Sequence, residues 1–440
     1  MGAIPGSRSV MTTGAASRSL ALLTIICALV ATTGAGAPAL DPAGPPSHFR
    51  STLVVGPLGQ GAGGIPTAFA YAPDGRIFVA RKTGVVNVYD HGVMHVFLDV
   101  SDEVNSAQGR GMLGLALDPS FAANGRVYVI FTQELHPGRP DAPGDAGGEI
   151  VRFSARASDP DVANLASRVT LLRGYKSTAP QHADVALRFD AAGHLLAGFG
   201  DATGDRVNPT ALRAQNLSDL RGKIIRINRY TGAGVAGNPW YDPTHPGSVR
   251  SKVFAYGLRN PFRFTVDPHN GTLYVGDVGW KDFEELDAFP VQTRHPLRDR
   301  NGGWPCYEGA MSHSTPQVDY ETNPLTRDAC KRLYPARLGG SGLGAQKPLY
   351  SYRHDGGACI IVGPKYVGTA NYPAKYTGKI FVADWARDLF RTVDPLTGVA
   401  TDFGSPGGWN QPVDIQIAPD GNVAYLALGT NTLREITYTP

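Results

Sequence analysis

The sequence predicts an all-β protein, a six-bladed β-propeller of four-stranded antiparallel blades with long loop insertions on one face. The first observation is a unit that recurs six times: an alternating apolar strand, a turn rich in Asp, Pro and Gly, and a second strand. The second is composition, because 54 Gly and 34 Pro in 440 residues suit many short strands and argue against long helices. The third is uneven spacing: the starts of successive copies lie 45, 72, 68, 111 and 49 residues apart, which leaves room for insertions.

The six copies follow one another along the chain, and most continue into a third strand. They occupy residues 68–80, 113–130, 185–197, 253–275, 364–384 and 413–427. A separate strand at residues 51–55 is expected to complete the last blade and close the ring. A two-sheet sandwich is the competing fold, but it gives no reason for six internal copies.

The long insertions are expected on one face, where loops carried by a rigid scaffold form binding and catalytic sites. They cover residues 135–148, 203–222 and 288–351. The predicted organisation is therefore a signal peptide and flexible N-terminus over residues 1–39, and one propeller over residues 48–440. The largest insertion, residues 288–351, lies inside that propeller.

The N-terminal segment has the pattern of a secretory signal peptide. Arg8 and Arg18 precede an apolar run at residues 20–31, and small residues offer cleavage near residues 35–37 or 37–39. That run is shorter than the roughly 20 residues needed to span a membrane. We therefore expect a secreted or periplasmic protein with no membrane span in its mature chain.

Charge and cysteine usage exclude several classes of function. The net charge is only +3, so a broad nucleic-acid-binding surface is not expected. Removal of the signal peptide would leave Cys306, Cys330 and Cys359. An oxidising compartment favours one disulfide, and Cys306 with Cys330 is the predicted pair because both lie in one insertion. Cys359 is left without an assigned partner, and no Cys or His spacing indicates zinc.

The stretch at residues 252–286 places polar side chains where strands end. Arg259 and Asn260 come directly before Pro261, which disfavours helix at the preceding residue. Asp277 follows the next predicted strand, and the pair at 284–285 is also acidic. An arginine, an amide and carboxylates in this pattern suit a site for an anionic ligand and a cation. The alternative is a solvated hairpin with ordinary surface charges.

His182 is the candidate proton acceptor, because a neutral imidazole can take a proton near neutral pH. Asp184 is close enough in sequence to orient it, although a loop histidine that makes one hydrogen bond is the alternative. The segment 301–308 is aromatic and rigid, and it forms either a wall over the site or a disulfide-pinned loop. Residues 109–114 match GxGxxG, but a strand follows them, which excludes a dinucleotide-binding helix.

These motifs, in this order, resemble the soluble pyrroloquinoline quinone (PQQ) dependent sugar dehydrogenases, the glucose/sorbosone dehydrogenase family. The resemblance runs from about Phe69 to Ile436 and implies a six-bladed propeller. The segments that carry it are residues 111–125, 182–201, 220–227, 256–261 and 276–285.

The resemblance implies a role for each matching residue. His182 matches the general base that removes the proton from the anomeric hydroxyl group of the sugar. Arg259 matches the arginine that contacts PQQ and stabilises negative charge on the quinone oxygen, and Asn260 matches its cofactor-contacting neighbour. Asp277 is the position carried over as a calcium ligand, since Ca²⁺ prefers carboxylate and carbonyl oxygens.

The chain also departs from the family pattern in the last blades. Dehydrogenase members carry basic residues there that hold the PQQ carboxylates, whereas this chain reads Asn410-Gln-Pro-Val-Asp414 at the matching place. Lys365 and Arg387, with Arg391, are then the late-blade candidates for cofactor binding.

The predicted function is an exported PQQ- and calcium-dependent dehydrogenase. It would oxidise an aldose or related sugar to the lactone and pass electrons to an external acceptor. The alternative is a non-catalytic propeller that binds a carbohydrate or a protein through the same face, which the missing arginine and the long cysteine-bearing insertion favour.

Overall fold

The computed structural model describes residues 44–58, 64–136, 138, 141, 144, 146–204, 209–310, 322–324, 326–334, 342–355, 358–368 and 371–440. The predicted signal peptide at residues 1–39 lies outside this set. Within these ranges, no helix has the length and hydropathy required to cross a membrane.

Short strands dominate the described chain. In order they are β1 Phe49–Val55, β2 Pro66–Tyr71, β3 Ile77–Arg81, β4 Val85–Asp90, β5 Val93–Asp99, β6 Met112–Leu117, β7 Arg126–Gln133, β8 Ala146–Ala155, β9 Ala163–Ser177, β10 Asp184–Phe189, β11 Leu195–Phe199, β12 Lys223–Ile227, β13 Val253–Tyr256, β14 Pro261–Val266, β15 Leu273–Asp277, β16 Phe283–Phe289, β17 Tyr350–Arg353, β18 Ile360–Lys365, β19 Ile380–Asp384, β20 Leu389–Val393, β21 Ala400–Asp402, β22 Pro412–Ile417, β23 Val423–Ala427 and β24 Thr432–Tyr438. The α-helices are short, at Phe121–Asn124, Val249–Lys252, Pro296–Asp299 and Arg327–Lys331, and 3₁₀ segments lie at Ser101–Glu103, Pro209–Gln215 and Ala374–Tyr376.

The strands form six four-stranded antiparallel sheets arranged as a propeller, which confirms the predicted fold. Blades 1 to 5 use consecutive strands, from β2–β5 to β18–β21. Blade 6 has the order β1-β24-β23-β22, so the N-terminal strand is its outer strand. Phe49 pairs with Tyr438 in this ladder, and the ring closes as predicted. The strand β13, which the sequence pattern grouped with the fourth copy, is instead the outer strand of blade 3.

The innermost strand of each blade packs against the innermost strands of its two neighbours around a central axis. The face of the ring at which these inner strands begin is called the top face below. Because the first two strands of each blade are antiparallel, the second strand ends at the top face. Side chains just before an inner strand and at the end of a second strand therefore share this face.

Arg263 crosses the axis of the ring. Its guanidinium is fully buried and donates hydrogen bonds to the carbonyl oxygens of Thr67 in blade 1, Val185 in blade 3 and Val413 in blade 6, at 2.6, 3.1 and 2.8 Å. Burial lowers the pKa of Arg263 to about 10, so the side chain is still cationic near neutral pH. One side chain thus joins four blades by satisfying carbonyl groups that face the axis.

Aromatic side chains secure the closing strand. The ring of Phe49 packs edge-on against Tyr372, Tyr376 and Phe403, with centroid distances of 5.1, 5.4 and 4.9 Å. Edge-to-face pairs of this kind stabilise by about 0.5–1.5 kcal/mol beyond the burial of their area. This cluster anchors β1 against blade 5 as well as pairing it with β24.

The insertions reach the top face by different routes. The segments at 135–148 and 203–222, where described, join the second strand of a blade to the third and so start at the top face. The third insertion leaves β16 at the opposite end, where Phe289 pairs with Leu273, and climbs to the top face. It contains the Cys306–Cys330 disulfide, which confirms the predicted pairing. Cys359 is fully buried at the entry to β18.

Candidate active site

The top face of blades 3 and 4 brings four of the predicted site residues together. His182 precedes β10, Arg259 and Asn260 precede β14, and Asp277 ends β15. The backbone N–H of Asp201, just after β11, donates to the carbonyl oxygen of Arg259 at 2.7 Å. This bond joins the two blades, and it brings the imidazole and the guanidinium to one part of the top face. That part of the top face is called the mouth of the site below.

His182 is held by a buried carboxylate. Its Nδ1 atom lies 2.8 Å from Oδ1 of Asp201, and both side chains are almost fully buried. Oδ2 of Asp201 accepts hydrogen bonds from Nε1 of Trp304 at 2.8 Å and from Oγ1 of Thr203 at 2.7 Å. Burial alone would raise the pKa of Asp201. The charge of His182, its hydrogen bond and the hydrogen bond from Thr203 outweigh burial and lower this pKa. With the carboxylate on Nδ1, Nε2 is the ring nitrogen that can accept a proton.

His182 pairs with Asp201, a residue for which the sequence analysis gave no role, and the side chain of Asp184 lies outside the described set. The antiparallel pairing of β10 with β11, in which Asp184 lies opposite Phe199, sets the end of β11 beside the residues before β10. Gly200 is required there, because a Cβ atom at this position would lie 2.3 Å from the carbonyl oxygen of His182. The acidic end of the Gly-Phe-Gly-Asp segment was the available signal.

Arg259 is fixed by backbone carbonyls. Its Nη1 atom donates to the carbonyl oxygens of Val278 at 3.0 Å and Gly279 at 2.6 Å. Its guanidinium carbon lies 5.6 Å from the ring centroid of Trp304, in cation–π range. The positive group is therefore buried and oriented beside the His182–Asp201 pair.

Three carboxylates form a candidate metal centre at this site: Asp277, Glu285 and Asp287, all buried, with potential ligand atoms within 4.8 Å of one another. Asp277 lies directly opposite Glu285 in the β15–β16 ladder. Asp287 is two residues further along β16, so it projects to the same side as Glu285. The structure thus adds two acidic residues to the single predicted ligand.

The electrostatics of this cluster fit a cation. Burial raises the pKa of Asp277 to about 7, although the backbone N–H groups of Arg259 and Asn260 act in the opposite direction. Burial, and then the neighbouring carboxylates, raise the pKa values of Glu285 and Asp287 well above the usual range. Both carboxylate oxygens of Asp287 and Oδ1 of Asn260 are buried without a hydrogen-bond partner in the described part of the chain. Buried oxygen atoms of this kind are suitable ligands for Ca²⁺.

Lys365 lies away from the site, contrary to the prediction that it binds the cofactor. The first residue of β18, Ile360, is near the top face, where its N–H donates to Glu284. Lys365 ends the strand, about 16 Å further along at 3.3 Å per residue. There its Nζ atom pairs with Asp267 at 2.7 Å. Lys365 thus forms its ion pair on the bottom face, the face of the ring opposite the top face.

Arg387 lies on the top face, in the turn after β19. Its guanidinium donates to the carbonyl oxygens of Arg353 and Asp355 and lies over the ring of Tyr352 at 5.3 Å. These contacts join blades 4 and 5. They do not bring Arg387 into contact with Arg259 among the described residues.

Trp304 shows that the insertion both carries the disulfide and forms a wall of the site. It contacts Asp201 through its indole N–H and Arg259 through its ring. The sequence suggested a wall or a pinned loop as alternatives, and the structure combines them.

Comparison with known proteins identifies the family of the chain. A family model described as Glucose / Sorbosone dehydrogenase matches residues 64–343. The chain is 24% identical over 383 residues to the HIPL2 protein of Arabidopsis thaliana, covering 76% of this chain and 51% of that protein. It is 25% identical over 253 residues to aldose sugar dehydrogenase YliI of Escherichia coli (strain K12), covering 57% of this chain and 61% of that protein. The chain thus spans about half to three fifths of the length of these curated relatives.

The fold is also similar to that of solved structures. One is the PQQ-bound aldose sugar dehydrogenase from Streptomyces coelicolor, with a TM-score of 0.62 and 19% identity over 90% of this chain and 100% of that chain. At this identity the similarity concerns the fold.

Proposed function

Because the chain belongs to the glucose/sorbosone dehydrogenase family, we propose that it is an exported quinoprotein dehydrogenase. It oxidises an aldose or related sugar at the anomeric carbon to a lactone, with PQQ as hydride acceptor and calcium assisting. The observation that supports this proposal most is the buried His182–Asp201 pair, which shares one mouth with Arg259 and an acidic cluster.

The residues of the chain have separate tasks in this reaction. Nε2 of His182 accepts the proton of the anomeric hydroxyl group while the carbon–hydrogen bond breaks and the carbonyl group of the lactone forms. Asp201 orients the imidazole and stabilises its protonated form, because its own low pKa keeps it ionised. Bound PQQ would supply a two-electron quinone that takes the hydride. Trp304, which contacts both Asp201 and Arg259, would limit the access of water to this pair.

The cofactor ligands follow from the same arrangement. Arg259 and Asn260 would contact PQQ, and the Arg259 guanidinium would stabilise negative charge that develops on it. Asp277, Glu285 and Asp287 would hold calcium, because their buried oxygens need a cation or a proton. Arg387 is the late-blade cation left for the carboxylates of PQQ.

The test is a reconstitution of the purified protein. PQQ and calcium chloride are added, and a panel of aldoses is supplied. An artificial dye takes the place of the natural electron acceptor. We expect dye reduction by the wild-type protein and its loss in His182→Ala. Full activity of that variant would exclude His182 as the base.

A non-catalytic propeller that binds a carbohydrate or a protein is the second candidate. The position of Lys365 on the bottom face favours it, because this leaves fewer cations for an anionic cofactor. Calorimetric titration with PQQ separates the two functions. A dissociation constant no tighter than about 1 mM, or about −4 kcal/mol, would favour the non-catalytic function.

We also propose that the protein is exported to an oxidising compartment. The disulfide Cys306–Cys330 supports this, because such bonds persist in oxidising compartments. Expression of the full chain in a secreting host, followed by N-terminal sequencing of the mature protein, tests it. A mature N-terminus near residue 36 to 40 is expected, and recovery of uncleaved protein inside the cell would contradict it.

A further inference from the structure

We propose that Glu308 is a positioning residue for Arg259, and that it acts through the turn at residues 278–283, which lies between them. The inference concerns a residue that takes no part in the chemistry proposed above. The test of this inference by enzyme activity rests on the proposed function, whereas its test by hydrogen exchange does not.

The carboxylate of Glu308 holds one side of this turn. Its Oε1 atom accepts hydrogen bonds from the backbone N–H groups of four consecutive residues, Trp280, Lys281, Asp282 and Phe283. The bonds to Lys281, Asp282 and Phe283 measure 3.0, 3.3 and 3.4 Å. Successive N–H groups that converge on one oxygen form a nest for an anion. The side chain of Glu308 therefore determines the shape of the turn.

The guanidinium of Arg259 holds the other side of the same turn. Its Nη1 donates to the carbonyl oxygens of Val278 and Gly279, directly before the amide nest. Gly279 fits tightly, because a Cβ atom there would lie 1.8 Å from the carbonyl oxygen of Phe283 and 2.5 Å from Oε1 of Glu308. A turn packed this closely transmits a change at Glu308 to the carbonyls that orient Arg259.

The cost of burying Glu308 shows that the contact is specific. The residue is 2% exposed, and its Oε2 atom is buried without a hydrogen-bond partner among the described residues. Burial raises the pKa of Glu308, and the charge of Arg259 acts against that rise. An apolar side chain could fill the same volume at lower cost but could not organise the four N–H groups.

The segment 304–309 connects Glu308 to the rest of the site. At one end Trp304 contacts Asp201, and at the other end the N–H of Gly309 donates to Oε1 of Glu285 in the acidic cluster. Cys306, in the middle, is fixed by its disulfide. One short segment thus sets the positions of the proton acceptor, the arginine and the candidate calcium ligands.

A double-mutant cycle tests the coupling. We compare Glu308→Ala, Arg259→Ala and the double variant, with Glu308→Gln as the conservative change that keeps an acceptor oxygen for the amides. Glu308→Ala is expected to lower kcat by about 10- to 100-fold. In the Arg259→Ala background the same change should have less than about a twofold effect. Independent, multiplicative losses would show that Glu308 does not act through Arg259 and would overturn the proposal.

Hydrogen exchange measured on the peptide that contains residues 278–286 gives a readout that needs neither PQQ nor activity. Glu308→Ala should speed exchange of the turn amides, Glu308→Gln should retain most of their protection, and Arg259→Ala with Glu308→Ala should exchange no faster than the faster single variant. Glu435→Ala, in blade 6, is the control and should leave this peptide unchanged. Unchanged exchange in Glu308→Ala would overturn the inference. If the wild-type protein is inactive but the exchange pattern is as expected, the dehydrogenase function is refuted and the positioning role of Glu308 stands.

Discussion

His182 and Asp201 form a buried imidazole–carboxylate pair with a distance of 2.8 Å, although strands β10 and β11 separate them along the chain. A second pair in the same blade, His194 with Asp190, has a similar distance of 3.0 Å. The second pair lies in the turn between these strands, on the bottom face. The chain therefore contains a matched control for the proposed base.

Replacement of His182 by alanine should lower kcat for aldose oxidation by about 10²- to 10⁴-fold, the usual contribution of a general base. The reason is that alanine has no ring nitrogen to accept the hydroxyl proton. His194→Ala should leave kcat unchanged. Equal losses in both variants, measured by dye reduction at saturating sugar, would refute the assignment.

Calcium should raise the melting temperature of the protein by binding to the acidic cluster of Asp277, Glu285 and Asp287. At a calcium concentration 100 times the dissociation constant the stabilisation is about 2.7 kcal/mol. Scanning calorimetry with calcium and with a chelator measures it.

Asp287→Asn sharpens this test, because a buried carboxylate needs a cation or a proton whereas a neutral amide needs neither. We expect the variant to be more stable than the wild type in chelator but to gain less from calcium. The control variant is Asp328→Asn, at an exposed residue. It should change neither the stability in chelator nor the stabilisation gained from calcium. A calcium response identical to that of the wild type would exclude Asp287 as a ligand.

His354 should give the stability of blade 4 a pH dependence. Its Nδ1 atom lies 2.6 Å from Oε1 of Glu284. Burial alone would lower the pKa of His354, but the hydrogen bond and charge of Glu284 outweigh it and raise the pKa above 6.5. The stabilisation from this pair is therefore fully present below pH 6.5 and is lost as the pH rises through the folded-state pKa.

His354→Gln should accordingly cost about 1–3 kcal/mol of unfolding free energy at pH 5.5 and less at pH 9. Denaturant unfolding at both pH values measures the difference. The exposed pair of His245 with Asp242 provides the comparison, and His245→Gln should change stability little at either pH. A cost for His354→Gln that grows with pH would contradict the assignment.

Removal of the Cys306–Cys330 disulfide should lower the free energy of unfolding by about 3 kcal/mol, because the bond closes a loop with a sequence separation of 24. The double variant with alanine at both positions is compared with the wild type in guanidinium chloride. The single variants would leave a reactive thiol and are not informative. An unchanged unfolding midpoint would show that the insertion is held by its packing alone.

Much of the fold could be predicted from sequence because its signals are local. Alternating apolar residues followed by Asp-Gly or Asp-Pro turns mark strands such as β2 and β3 or β22 and β23, and their repetition indicates radial stacking. The N-terminal strand β1 stands ahead of the first copy as a separate strand, and its expected place in the last blade is confirmed by its pairing with β24. The assignment of β13 to the fourth copy was wrong, because a long insertion separates this strand from the rest of blade 3.

The candidate site was harder to predict, because it depends on which end of a strand each side chain occupies. Lys365 was chosen for its charge in a late blade, yet it is the last residue of an inner strand and so lies on the bottom face. Glu285 and Asp287 carried a usable signal, because residues two apart on a strand face the same way. The contact of Trp304 with Asp201 could not be foreseen, because the intervening insertion has no periodic pattern.

The ladder between β1 and β24 has a consequence for how the protein matures. Among the described strands β1 is made first and β24 last, so the ring of blades cannot close until β24 has been synthesised. A chain that ends before Thr432 would leave Phe49 and its aromatic neighbours uncovered and two strand edges unpaired, which is a state that quality-control proteases and chaperones recognise. Pairing β1 with β24 in one sheet thereby makes synthesis of β24 a condition for a durable native state.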